Sequence, residues 1–132
     1  MREIKFRAWN KETDKMMYPD DSDSYFELTD AGLNVLDLTQ EPDNLGFSHF
    51  DVDIQQYTGL KDKNGVEIYE GDILCGWIGS HWHSGEDKFE EVVKYDEKTA
   101  SYNFPAIEVR HGDLRVIGNI YENPELLEVQ NG

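Results

Sequence analysis

The stretch Tyr57–Leu74 constrains this chain more than any other, because it holds two tight turns in quick succession. Asn64-Gly65 is the strongest turn signal in the sequence, since both residues tolerate the positive φ that a two-residue hairpin turn requires. Glu70-Gly71-Asp72 forms a second turn, and Ile73 begins a new apolar run. The spacing predicts a compact β corner. No nucleophile stands beside a base in this stretch.

The rest of the chain has the alternation that is typical of short, half-buried strands. Apolar side chains recur with a period of two near residues 4–9 and again near residues 52–57. Turn residues interrupt the chain about every 8–12 positions, which favours a β-dominated class. Residues 73–78 form a near-continuous apolar run, so we expect the most buried strand there.

Only the C-terminal end carries helix signals. Asn123 is a good N-cap, Pro124 suits the first helical position, and Glu125 favours the positive end of the helix dipole. The pattern predicts a short helix over 123–128. Such a helix is too short to be stable alone, so we expect Leu126 or Leu127 to pack on the body of the protein.

These patterns together predict a mainly β protein, a β-rich member of the α+β class. We expect short antiparallel strands that form a small barrel-like body, with an N-terminal β unit and the short C-terminal helix. A chain of 132 residues fits one domain. If that domain divides, the loop over 39–49 predicts an N-terminal β subdomain (1–45) and a central and C-terminal small-barrel subdomain (50–132).

Three blocks of the sequence resemble the YopX family of phage and prophage proteins. They are the opening block over 1–9, the central block over 57–73 and the closing block over 116–127. The opening departs from the family at Asn10, where Asp is usual. The resemblance implies a small β-rich phage or prophage protein in a bacterial cytoplasm, and it implies no reaction. It marks ten residues as a structural motif, which we call the signature: Tyr57, Gly59, Asn64, Gly65, Tyr69, Gly71, Asp72, Gly118, Asn123 and Pro124.

The chain is strongly acidic, with a formal net charge of −16 from 28 acidic and 12 basic residues. This charge argues against binding nucleic acid or an anionic membrane, because phosphate contact needs a basic face. It is compatible with simple solubility, with a basic protein partner or with mimicry of nucleic acid. The N-terminus is charged and lacks the apolar segment of a signal peptide, so we expect a cytoplasmic protein.

Metal ligation has one set of candidates, namely Cys75, His81 and His83. A structural zinc site usually needs four protein ligands, and the fourth would have to be His111, His49 or a carboxylate. We therefore predict no bound metal and no cofactor. For calcium, Asp62 does not complete a ligand loop, so it is interpreted as a turn-forming residue. Cys75 is expected to be a buried small apolar residue.

Catalytic motifs are missing from the sequence, which has neither a nucleophile elbow nor a phosphate-binding loop. Two hypotheses remain. The first is a non-enzymatic acidic module that binds a host or phage protein, or copies of itself, with exposed aromatics such as Trp82 as anchors. The second is an enzyme or metal-dependent activity on the small β-barrel, which would need a pocket with converging His, Asp and Glu side chains.

Overall fold

The structure is a computed structural model that describes residues 3–78, 87–103 and 114–130. Strands dominate these residues, and one short helix lies near the C-terminal end. The predicted mainly β class, with short antiparallel strands and a C-terminal helix, is confirmed. The elements are β1 (Phe6–Asn10), β2 (Lys15–Met17), β3 (Ser24–Thr29), β4 (Gly32–Asp37), β5 (Val52–Lys61), β6 (Glu67–Tyr69), β7 (Asp72–Ile78), β8 (Asp87–Val92), β9 (Tyr95–Asp96), β10 (Ser101–Tyr102), β11 (Arg115–Asn119) and α1 (Glu125–Gln130).

The chain separates into two compact units. The N-terminal unit comprises Lys5–Gln56, and the C-terminal unit comprises Tyr57–Gly132 together with Met1–Ile4. Strand β5 contributes to both, with residues 52–56 in the first unit and residues 57–61 in the second. The subdomain limits expected from the sequence, 1–45 and 50–132, stay a prediction.

The N-terminal unit is built on β1, which pairs antiparallel with β2 on one side and with β5 on the other. Ala8 lies opposite Met17 in β2 and opposite Ile54 in β5, so small and large apolar side chains meet on one face. Successive side chains of a strand point to opposite faces of the sheet, so residues that lie opposite each other on neighbouring strands share a face. The resulting core consists of Ala8, Met17 and Val35, with Phe26, Phe50, Val52 and Ile54 packed against it.

A second layer of this unit is the hairpin of β3 and β4. The segment over 48–50 runs along the free edge of β4. Its backbone accepts the Asp37 N–H at Ser48 O (2.8 Å), and its Phe50 N–H donates to Val35 O (2.9 Å). Leu36 therefore lies opposite His49. The hairpin and this segment together make a three-stranded surface in which Val35 is buried and alternate residues face away from it.

The C-terminal unit is organised around β7, which lies between β8 and β11 in an antiparallel sheet. Residues 72–76 of this strand are all buried, which confirms the expectation for the first part of the apolar run. Its core comprises Ile68, Leu74 and Val93, with Tyr102, Leu114 and Val116 packed against it. Trp82, His81, His83 and His111 lie outside the described residues, so the anchor proposed at Trp82 has no structural description.

Candidate functional site: the signature corner

The hairpin between β5 and β6 turns over residues 62–66. The Asp62 N–H donates to Val66 O (2.9 Å), and the Gly65 N–H donates back to Asp62 O (3.0 Å). Gly65 has φ +81°, whereas Asn64 is not among the residues with positive φ. Three residues therefore link the strands, in the pattern of a type I turn followed by a left-handed glycine. The positive φ at Gly65 is confirmed, and the predicted two-residue turn is wrong.

The carboxylate of Asp62 explains why this turn has three residues instead of two. One oxygen, Oδ1, accepts the backbone N–H groups of Asn64 (2.8 Å) and Val66 (2.9 Å) inside the loop. The other, Oδ2, accepts the N–H of Val116 in β11 at 3.0 Å. The side chain is buried, so each of these backbone donors has a charged acceptor in place of water. Asp62 is the turn-forming residue that the sequence indicated, and it also ties the hairpin to the last strand.

The strand that enters this hairpin is bulged at Gly59. The register of β5 against β6 shifts between Tyr57 and Lys61. Gly59 lies within this irregular segment of β5 and has φ +89°. The Thr58 hydroxyl donates to Ile68 O (2.8 Å) and so links the two strands beside the bulge, where ladder pairing is locally disrupted. Gly59 belongs to the signature because its left-handed backbone conformation suits a residue without a Cβ.

The two signature tyrosines pack on each other at the start of the hairpin. Tyr57 lies opposite Tyr69 across β5 and β6, and both are buried. Their ring centroids are 5.5 Å apart with planes inclined at 39°, which is within the range of favourable aromatic pairs. The pair contributes to packing on the sheet and is not an exposed stacking surface.

The second signature turn leads the chain from β6 into β7. Gly71 has φ +85°, and the Tyr69 N–H donates to the Asp72 carboxylate (Oδ2, 2.8 Å) across the turn. The Gly71 N–H donates to Val93 O, and Gly71 O accepts the N–H of Ile120, each at 2.9 Å. Since β6 pairs with β5 while β7 pairs with β8 and β11, the chain turns a corner here, as the sequence predicts.

The closing block of the signature forms a turn held by two asparagines. The Oδ1 atom of Asn119 accepts the N–H groups of Tyr121 (3.0 Å) and Glu122 (2.8 Å). The Oδ1 atom of Asn123 accepts the N–H of Asn119 (3.2 Å), so this carboxamide faces back toward β11. The Asn123 backbone carbonyl accepts the Leu126 N–H (3.1 Å) at the start of the helix. Its side chain bonds to Asn119 and not to a helix N–H, so the side-chain cap expected from the sequence is replaced by a link to β11.

Helix α1 begins at Glu125, one residue later than the first position expected for Pro124. Pro124 immediately precedes it, and its carbonyl accepts the N–H of Leu127 (3.1 Å). Pro124 thus stands where its fixed φ and missing N–H are compatible with the start of a helix. Leu126 and Leu127 are both half-buried, as expected of a helix that packs on its unit.

The metal candidates are not brought together in the described part of the chain. Cys75 is buried within β7, and the Arg115 Nη2 atom lies 3.9 Å from its Sγ. His49 belongs to the N-terminal unit and is exposed. Within residues 3–78, 87–103 and 114–130, no group of three or more His, Cys, Asp or Glu side chains is placed to hold an ion. The absence of a metal stays a prediction.

Lys11 in the N-terminal unit is paired with two carboxylates. Its Nζ lies 3.2 Å from Asp53 and 3.7 Å from Asp51. The hydrogen bond to Asp53, together with the charges of both carboxylates, raises the pKa of Lys11. The ammonium is exposed, so the ion pair is screened by salt and contributes little to stability.

The fold and the corner define a class of protein, namely a small, mainly β protein whose signature residues hold its turns and strands together. The sequence model of the YopX protein matches residues 5–128, nearly the whole chain, so this chain belongs to the YopX family. No match was found among the curated proteins compared.

One solved structure with a similar fold is described as the crystal structure of protein EF1440 from Enterococcus faecalis. The TM-score is 0.58 and the sequence identity is 26%. The similarity covers 96% of this chain and 99% of the other. In the described part of this chain, no helix has the length and apolar character needed to cross a membrane.

Proposed function

We propose that this chain is a non-enzymatic, acidic protein-interaction module of a phage or prophage, acting in the bacterial cytoplasm on a host or phage protein. The observation that carries this proposal is the structural role of two carboxylates in the central block over 57–73. Asp62 accepts three backbone N–H groups, and Asp72 accepts the Tyr69 N–H across its turn. A carboxylate whose lone pairs face backbone donors is committed to structure and is a poor general base.

The charge supports a basic protein as the partner. A net charge of −16 repels phosphate, so the surface disfavours nucleic acid. The same charge raises the rate of encounter with a positively charged surface and makes that association sensitive to salt. Binding to a basic partner accounts for the charge without a chemical reaction.

The test begins with the oligomeric state of the purified chain, measured by sedimentation. The chain is then used as bait in a bacterial lysate at low and at raised salt, and the captured proteins are identified by mass spectrometry. In parallel, a gel-shift assay uses random DNA and RNA, and a hydrolase screen searches for turnover.

We expect captured proteins with a basic surface that are lost at raised salt, and no shift of either nucleic acid. Tight binding of DNA or RNA would contradict the proposal. So would turnover that disappears when a single His or carboxylate is replaced, because that result would favour the enzyme hypothesis. Recovery of no protein under any salt condition, from a chain that remains monomeric, would also count against it.

A further inference from the structure

The outer face of β3, β4 and residues 48–50 carries large apolar side chains at one end and the polar pair Glu27 and Asn34 beside them. Tyr25 lies opposite Leu36, and Leu36 lies opposite His49 on the other side. Leu38 follows two residues after Leu36, and Phe47 stands two residues before His49. Because side chains of paired strand residues alternate, Tyr25, Leu36 and His49 lie on one face, opposite the face that carries Val35. Leu38 follows β4 in a turn, where its N–H donates to Asp23 O, and Phe47 lies in a bend. We call Tyr25, Leu36, Leu38 and Phe47 the outer patch.

The outer patch is open to solvent, although its members are large and apolar. Tyr25 is 57% exposed, and Leu38 and Phe47 are each 40% exposed. Leu36 is half-buried in their midst. Aromatic and aliphatic side chains gathered on one sheet face are typical of surfaces that are covered by a partner. Scattered single apolar residues need no such explanation, but here Tyr25 and Leu36 are paired across two strands, and Leu38 and Phe47 lie two positions from Leu36 and His49.

The sequence around the outer patch is acidic and lacks every fixed positive charge. Between Lys15 and Lys61 there are ten Asp or Glu residues and no Lys or Arg. Glu27 lies two residues from Tyr25 on the same face of β3, and Asp23 accepts the Leu38 N–H at its backbone carbonyl (2.9 Å). Carboxylates therefore flank the patch on the strand that carries Tyr25, and a partner must bring positive charge to match them.

We propose that the outer patch is the docking site of the module, and that its occupant is a segment of another protein carrying Lys or Arg beside aliphatic side chains. This inference rests on the proposed function and names its surface. The aliphatic side chains cover Tyr25, Leu38 and Phe47, and the cations meet the acidic rim. A second copy of this chain is disfavoured as occupant, because the same face of the copy would bring only carboxylates to that rim.

The experiment uses labelled synthetic peptides and the full chain, with binding followed by fluorescence anisotropy. One probe combines Lys and Leu in an amphipathic order, a second replaces each Leu with Ser, and a third replaces each Lys with Glu. The patch variant combines Tyr25→Thr with Phe47→Ser. Its matched control combines Leu60→Ser with Val66→Ser, two apolar residues of similar exposure in the C-terminal unit.

We expect the Lys/Leu probe to bind more tightly than either other probe. The patch variant should weaken that binding by about tenfold or more, the usual effect of removing aromatic anchors, and the control pair by less than about twofold. A charge variant, Asp23→Asn with Glu27→Gln, should reduce the association rate and the salt dependence. Asp96→Asn with Glu97→Gln, exposed positions of the other unit, serves as its control and should change neither.

Three results would overturn this inference while leaving the proposed function in place. The Lys/Ser probe could bind as tightly as the Lys/Leu probe, the control pair could weaken binding as much as the patch variant, or basic proteins could be captured from lysate by a chain that binds no probe. A dimer of the chain that dissociates in the patch variant would make a second copy the occupant and would also refute it. Capture of no protein at all would remove the proposed function itself.

Discussion

The side chain of Asn123 fills the space beside Gly118. A Cβ atom built at Gly118 would lie 2.5 Å from Asn123 Oδ1 and 2.9 Å from Asn123 Cβ, both far inside van der Waals contact. The close approach lets Asn123 Oδ1 reach the N–H of Asn119. Gly118 is thus required here by proximity, since its φ is not positive. Both residues lie in the closing block, and the side chain of Asn123 leaves room only for glycine at position 118.

Gly118→Ala should lower the free energy of unfolding by about 1–3 kcal/mol. The new methyl group would clash with the Oδ1, Cγ and Cβ atoms of Asn123, and the clash at Cβ cannot be relieved by rotating the side chain. Thermal or urea unfolding measures the loss. The double variant with Asn123→Gly relieves the overlap, so its loss should be smaller than the sum of the two single losses. Strictly additive losses would show that the two positions do not interact.

Gly65→Val should also destabilise the protein by about 1–3 kcal/mol, but for a different reason. A Cβ at Gly65 would meet no atom within 4 Å, so the cost arises from its φ of +81° alone. Gly65→Asn is the matched control, because asparagine tolerates the left-handed region and should retain most of the stability. Equal melting temperatures for the valine variant and the original protein would contradict the positive φ at this position.

Local turn chemistry carried most of what the sequence could predict. Glycines next to Asn or Asp locate the turns at Gly65 and Gly71, and alternating apolar residues locate β1 and β5. These signals act over a few residues, so they can be recognised without knowledge of the partners. The mainly β class and the short terminal helix follow from them.

Long-range relationships were not visible in the sequence. Nothing around Asp62 indicates that its carboxylate accepts the N–H of Val116, 54 positions away. The other oxygen of this carboxylate accounts for the error in turn length. Asn-Gly alone favours a two-residue loop, whereas the bonds from the Asn64 and Val66 N–H groups to Asp62 Oδ1 stabilise a three-residue one. The outer patch had a sequence signal, the basic-free stretch between Lys15 and Lys61, but its shared face depends on the pairing of Leu36 with His49.

The C-terminal helix should behave as a docked element and not as a free tail. The Leu126 and Leu127 N–H groups donate to Asn123 O and Pro124 O, and both side chains are half-buried. We expect these two amides to be protected in native-state hydrogen exchange, and deletion of the residues after Glu122 to lower the melting temperature clearly. Complete exchange of both amides at the rate of an unstructured peptide would contradict docking.

The purified protein should contain no stoichiometric transition metal. Cys75 is buried, with Arg115 near its sulfur, and a cation there is a poor neighbour for a metal ion. Elemental analysis of the protein after dialysis provides the measurement. About one zinc ion per chain, lost in His81→Ala or His83→Ala but retained in His49→Ala, would show that a metal site exists.

Asp62→Ala should be the most damaging single change in the signature corner. It removes the acceptor of three backbone N–H groups, at Asn64, Val66 and Val116, and should cost about 2–4 kcal/mol of stability. Asp96→Ala is the matched control. Its carboxylate accepts the Lys98 N–H (2.9 Å) in an exposed turn, where water replaces the lost acceptor, so the cost should stay below about 1 kcal/mol.

The conservative change Asp62→Asn separates the two roles of this side chain. If the asparagine oxygen keeps the place of Oδ1, it still accepts the N–H groups of Asn64 and Val66, while its amino group replaces Oδ2 and faces the N–H of Val116. Two donors then oppose each other at β11. We therefore expect hydrogen exchange to accelerate at Val116 by a larger factor than at Val66, with a stability between those of the original protein and the alanine variant. Acceleration at Val66 without acceleration at Val116 would mean that Asp62 acts only inside its own turn and does not hold the last strand.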